Sequence, residues 1–277
     1  MTRPDPLPST GKRHPIFARV FARAGPAMDA QGALEHRRAL LAGLAGRVLE
    51  VGAGNGLNFP HYPATVTEVL AIEPEPYLRR QAVAAARQAP VPIRVLAGTA
   101  EALPAPDGAV DVVVASLVLC TVTDLDQALA ETRRVLRPGG RLRFYEHVRA
   151  EDPRLARWQD RSQRPWEWLV GGCHPNRDTV AGMTTAGLRL VQLDRFNLPA
   201  MPPLARPHVL GVAEWGRSTR CKEGRNHADD RGEEPAVGQA GPDRPGDPGD
   251  PRGDRVVAEG NPVGHHRGAQ GPRRAHP

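Results

Sequence analysis

A chain of 277 residues is long enough for one domain of ordinary size plus a further segment. Its 37 basic residues outnumber 31 acidic ones for a formal net charge of +6, yet only Lys12 and Lys222 are lysines, and the excess of Arg, Ala, Gly and Pro follows GC-rich codons. The basic balance therefore reads as a solvated arginine-rich surface and argues against a nucleic-acid partner.

Residues 1–16 are rich in Pro and charge and are expected to be flexible. Phe17, Val20 and Phe21 then fall at i, i+3 and i+4, the apolar stripe of a short helix, and a second helical stretch is expected from Gln31 to Leu44. From there strand-like and helical segments alternate: RVLEV, EVLAIE, a helix over Pro76–Arg87, PIRVLAG, AVDVVVAS, a helix over Leu125–Leu136 and RLRFYEHV. Such alternation predicts an α/β fold, with βαβ units and a mostly parallel sheet covered on both faces. Arg137–Gly140, RPGG, breaks the preceding helix and starts the next strand. Helical segments near 152–169 and 175–187 and two further strands, RLVQLDRF and HVLGVAEW, complete the pattern.

From Arg217 to Pro277 there is no Leu, Ile, Met, Phe, Trp or Tyr. Such a segment cannot bury enough apolar surface to offset the entropy of ordering it, and 217–277 is expected to be a disordered tail behind a domain spanning 17–216. Cys120, Cys173 and Cys221 lie far apart with no CxxC pair, which argues against a disulfide framework or a zinc site and suits the cytoplasm. No signal peptide is visible. The longest apolar run, VDVVVASLVLCTV, contains Asp111 and is too short to cross a bilayer.

The stretch VLEVGAGNGLNFPHYP places Gly52, Gly54 and Gly56 after the first strand. A dinucleotide turn needs G-x-G-x-x-G, whose third glycine is here Leu57, and a phosphate-binding P-loop needs a lysine that the stretch lacks. A nucleoside ligand without phosphate remains, and S-adenosylmethionine fits. Glu73 ends the next strand, where a carboxylate accepts both ribose hydroxyls, with Pro74 beside it. Glu50 precedes the glycines, near the amino group expected of the methionine moiety. Ala100 and Glu101 follow the third strand at the adenine edge, and Ser116 and Leu117 follow the fourth. Singly, each feature has a plain reading as a turn or a helix cap; the ordered series carries the assignment.

With these motifs in place, the chain resembles the class I S-adenosylmethionine-dependent methyltransferases over about Phe17–Trp215. It is most similar to the branch of the alkyl thiol methyltransferases and their bacterial relatives. The residues behind this are LEVGAGNGLNFPHYP, DVVVASLVLCTVTD, VLRPGGRLRFYEHV, GGCHPNRDT and RPHVLGVAE. The resemblance implies a doubly wound, Rossmann-like, seven-stranded sheet whose final strand, HVLGVAEW, is antiparallel. It also implies S-adenosyl-L-methionine as cofactor and a small, lipophilic acceptor such as a thiol. A quinone- or lipid-precursor methyltransferase and a catalytically silent cofactor-binding module are the alternatives. Animal members of the branch carry an N-terminal membrane-seeking helix; here only the Phe17–Phe21 stripe answers to it, so at most weak peripheral membrane contact is expected.

Acceptor-side candidates are Cys120, Glu146, His147, Cys173, His174 and His208, with His147 the first choice for a base or acceptor contact. No resident metal is expected. Trp158, Trp166 and Trp168 are candidates for an apolar acceptor pocket, although core packing is the plainer role for at least two of them.

Overall fold

The computed structural model describes residues 15–199 and 201–215. The tail expected over 217–277 lies outside the described residues, as does nearly all of the segment expected to be flexible at the N-terminus. The first helix, α1, begins at Pro15 and runs to Met28. A single π-type turn at Asp29–Ala33 joins it to α2, Leu34–Leu41. That joint is a kink, because Gln31 and Gly32 leave helical geometry and Gly32 takes φ +108°, which costs glycine little. The second helix is therefore shorter than the stretch to Leu44 that its sequence suggests.

Seven strands follow: β1 Gly46–Val51, β2 Val66–Ile72, β3 Ile93–Leu96, β4 Val110–Ser116, β5 Leu136–His147, β6 Leu188–Asn197 and β7 Pro207–Trp215. They form one sheet in the order β3-β2-β1-β4-β5-β7-β6. β7 runs antiparallel to both β5 and β6, and the pairs among β1 to β5 are parallel. The expected doubly wound sheet and its antiparallel final strand are thus observed. Helices α3 (Pro76–Ala86), α4 (Leu125–Val135), α5 (Pro153–Leu169) and α6 (Thr179–Thr185) complete the fold.

Each strand of the sheet centre alternates between two cores, as a period of two requires. Leu49, Val51, Ile72, Val113, Ala115, Leu142 and Phe144 face one core with Ala128 and Leu129 of α4 and Met183 of α6. Val48, Val69, Ala71, Val114 and Tyr145 face the other with Leu40 and Leu41 of α2 and Ala82 of α3. Local chemistry starts the helices where the alternation ends: Glu75, Asp124, Asp152 and Asp178 each accept a backbone N–H from the first turn of α3, α4, α5 and α6. RPGG lies at the start of β5, as its sequence suggests, and bulges from it, since Val110 pairs with Leu136 while Val112 already pairs with Arg141.

The winding direction reverses between β1 and β4, which are neighbours although β2 and β3 intervene in the chain. In open α/β sheets such a switch point leaves a crevice at the carboxyl ends of the strands.

Candidate active site

A cavity of about 630 Å³ occupies that crevice, within the range of small-molecule sites. One end is formed by the turn after β1, the end of β2 and the loop after β3, through Gly52, Gly54, Glu73, Pro74, Ala100 and Glu101. Ser116 and Leu117 form the floor at the end of β4. Away from them the wall is apolar and sulfur-rich, with Phe17, Trp166, Met201, Cys120 and Cys173, while Phe21 covers the glycine turn itself, 3.5 Å from where a Cβ on Gly54 would lie.

The glycine turn fits closely. Gly52 has φ +64°, and a Cβ there would sit 2.5 Å from Val118 Cγ2. Gly52→Ala is expected to destabilise the fold by about 1–2 kcal/mol from left-handed backbone alone, with a further loss from displacing Val118. Urea denaturation measures it, and an unchanged midpoint would contradict the reading. Gly56 does not line the cavity; its missing Cβ leaves room for Phe59 and Ala85 behind the turn.

Glu73 is 5% exposed and holds the turn from the other side. Its Oε2 accepts the Gly54 N–H at 2.8 Å and its Oε1 accepts the Glu75 N–H at 2.8 Å. Each oxygen keeps a further lone pair for a ligand donor. Burial pushes this carboxyl up to about 7, against the pull of those two backbone N–H groups. Glu101 also lines the cavity, with its Oε1 accepting the Thr123 N–H at 2.9 Å. Ser116 Oγ is buried without a hydrogen-bond partner among the described residues.

Glu50 does not line the cavity. The alternation that turns Leu49 and Val51 to one core turns Glu50 to the other. There Asn58 donates to its Oε1 at 2.8 Å and Tyr62 to its Oε2 at 2.7 Å. Arg37 completes the network, donating to Asn58 at 3.0 Å and to Asp29 at 2.9 Å. Burial pushes Glu50 up to about 7 as well. Its work is to tie β1 to the segment after the glycine turn.

The loop after β4 is shaped by Glu146, one of the acceptor-side candidates, which is fully buried and away from the cavity wall. Its Oε1 accepts the N–H groups of Val118 and Leu119, each at 3.0 Å, and its Oε2 accepts that of Cys120 at 3.2 Å. Just before them, Leu117 adopts φ 58° and donates its N–H to the Tyr145 carbonyl at 2.7 Å. A left-handed leucine is uncommon, and here neighbouring bonds hold it on a cavity wall. Arg177 braces the same loop, donating to the carbonyls of Leu119 and Val122 at 2.8 and 2.7 Å.

His147, Cys120, Cys173 and His174 all reach the cavity. His147 Nε2 lies 2.5 Å from Cys173 Sγ, and Trp166 donates its indole N–H to the same sulfur at 3.5 Å. The neighbouring Cys120 thiol holds Cys173 below its ordinary range, while Cys173 and burial push Cys120 up. His208 is absent from the wall; it is buried against Tyr145 and Phe196, and burial lowers it to about 4. Of the three tryptophans proposed for the pocket only Trp166 lines it. Trp158 and Trp168 are 60% and 78% exposed, so α5 turns them to solvent instead of a core.

Comparison with known proteins gives a consistent picture. A family model described as a methyltransferase domain matches residues 49–144. The human thiol S-methyltransferase TMT1A is 36% identical over 178 residues, covering 62% of this chain and 72% of that protein. The ubiquinone/menaquinone biosynthesis C-methyltransferase UbiE of Caulobacter sp. (strain K31) is 36% identical over 117 residues, but covers only 36% of this chain and 46% of its own length. Among solved structures, an S-adenosylmethionine-dependent methyltransferase from Mesorhizobium loti superposes with a TM-score of 0.52 at 20% identity, covering 67% of this chain and 99% of that one.

Proposed function

This chain belongs to the class I S-adenosylmethionine-dependent methyltransferases, and from that premise we propose that its acceptor is a small lipophilic thiol. The observation that carries the reading is one continuous cavity, polar where a nucleoside fits and apolar with sulfur and imidazole groups at the other end. The cofactor, when bound, supplies an already activated methyl group on a sulfonium.

Several features support where it sits. Gly52 and Gly54 present bare backbone to the cavity, Glu73 retains lone pairs for the ribose hydroxyls, and Ser116 Oγ is a buried polar atom without a partner among the described residues. Pro74, Ala100 and Glu101 would bound the adenine, with Leu117 forming the floor. Glu50 acts behind the turn, through Asn58 and Tyr62.

At the other end the protein's task is positioning and exclusion of water, which together supply about 7–11 kcal/mol in well-aligned reactions. Phe17, Trp166 and Met201 provide an apolar wall for a lipophilic acceptor. Beside it Val20, Trp168 and Leu169 are 57%, 78% and 62% exposed. Such an apolar rim suits an acceptor that partitions from a lipid phase, in keeping with weak peripheral membrane contact. No helix among the described residues is long and apolar enough to cross a membrane.

A thiol suits this wall better than an alcohol, because thiolate is populated near neutral pH and is polarizable. Transfer of labelled methyl to a panel of lipophilic thiols, matched alcohols, phenols and quinols tests the reading. Thiols are expected to turn over at least about a hundredfold faster than their alcohols, the scale that proton removal by a positioned base otherwise supplies. Turnover of a quinol or phenol with none of any thiol would favour the C-methyltransferase reading, which rests on the shorter likeness to UbiE.

A further inference from the structure

We propose that Cys120, His147 and Cys173 form a zinc site whose fourth position opens into the cavity and receives the sulfur of the acceptor. The two Sγ atoms and a ring nitrogen lie within 4.8 Å of one another, and all three residues are buried. Among the described residues no other group of three His, Cys, Asp or Glu side chains comes together in this way. The three also line the cavity, so an ion held by them faces it.

The donor set selects the metal. Two sulfurs and one imidazole nitrogen suit zinc, and two thiolates with a neutral imidazole cancel its double charge, which permits a buried site. Three protein ligands with one open position are the arrangement of catalytic zinc; a structural site would close the fourth. His147 Nδ1 has no hydrogen-bond partner among the described residues. With the ring proton on Nδ1, the Nε2 lone pair, already turned to Cys173, is available to a metal. Zinc–sulfur and zinc–nitrogen bonds of about 2.3 and 2.0–2.1 Å place neighbouring ligand atoms about 3.4–3.8 Å apart. The 2.5 Å contact between Nε2 and Cys173 Sγ therefore opens by about 1 Å when the ion enters.

Three separate segments fix the ligands. Cys120 follows β4, its N–H bound to Glu146; His147 ends β5; Cys173 lies in the turn after α5, its N–H bound to the Val170 carbonyl. A thiol taking the fourth position releases its proton to solvent through the cavity and stays bound as thiolate. The site thereby orients the acceptor and keeps it deprotonated without a separate base. This last step rests on the thiol reading above; the metal site itself does not.

The test uses the full chain, produced with zinc present and purified under reducing conditions. Elemental analysis is expected to find close to one zinc per chain. Cobalt exchanged into the site is expected to show thiolate-to-cobalt charge transfer and a tetrahedral spectrum. Hexanethiol, added without cofactor, is expected to shift that spectrum, and hexanol to leave it unmoved. Cys120→Ser and Cys173→Ser are each expected to lose most of the metal, while Cys221→Ser keeps it. Should the serine variants fail to fold, the wild-type cobalt spectrum decides alone. A chain that methylates thiols with neither zinc nor a cobalt spectrum overturns the zinc site and leaves the thiol function standing. Bound cobalt blind to hexanethiol overturns the open fourth position. A thiol-responsive metal in a chain that methylates no thiol upholds the site and removes the thiol function.

Discussion

Replacing Glu73 by alanine is expected to weaken S-adenosylmethionine binding by at least about a hundredfold. Two hydrogen bonds from the ribose to this carboxylate would be charge-assisted, each worth about 1.5–3 kcal/mol. The substitution also frees the N–H groups of Gly54 and Glu75, which the carboxylate now holds at 2.8 Å, so the glycine turn loses its anchor. Glu73→Gln keeps the size and one acceptor oxygen and separates the charge from the shape. Calorimetric titration of the cofactor decides; near wild-type affinity in Glu73→Ala would remove the residue from the site.

The same carboxyl sets a pH dependence. Burial raises it from 4.5 to about 7 in the ligand-free fold. A folded state that keeps a proton the unfolded chain has released loses stability as pH rises, here from about 4.5 to 7, and the cost levels off above that. Glu50, also raised to about 7, adds to this slope from outside the cavity. Ribose donors favour the ionised form of Glu73, so cofactor affinity is expected to rise as pH increases through about 7 and then to level off. Titrations across that range should give a flat profile for Glu73→Gln. A wild-type profile equally flat would show that Glu73 does not bear the ligand.

Glu146→Ala is expected to cost about 3–5 kcal/mol of folding stability, the scale of removing one partner from a buried charged interaction. The carboxylate gathers three successive N–H groups, of Val118, Leu119 and Cys120. Without it these donors are left in the interior, where each unsatisfied group costs about 1–3 kcal/mol. Glu146→Gln is expected to fall between, since its carbonyl serves Val118 and Leu119 while its amide faces a third donor. Urea unfolding followed by circular dichroism measures both. A midpoint for Glu146→Ala within error of wild type would mean that the loop after β4 is held by Arg177 and packing alone. Because that loop carries Cys120 and the left-handed Leu117, the variant should also lose activity at temperatures where it remains folded.

The sheet and the cofactor end of the cavity were legible in the chain because their signals are local. Apolar alternation marks the strands, short acidic caps mark where helices start, and a glycine turn after β1 with an acid ending β2 lies within some twenty residues. What the sequence could not decide depends on which face a residue presents once the elements pack. Glu50 stands next to the glycine turn in sequence, yet alternation along β1 sends it to Asn58 and Tyr62 in the opposite core. Trp158 and Trp168 are apolar by composition, but the seating of α5 exposes them and leaves Trp166 on the wall. Cys120, His147 and Cys173 are too far apart along the chain to form a ligand-spacing motif. The loop after β4, the end of β5 and the turn after α5 bring them within 4.8 Å, because β4 and β5 are parallel neighbours ending at one edge of the sheet and the turn after α5 is bonded to the loop after β4, His174 N–H to the Cys120 carbonyl.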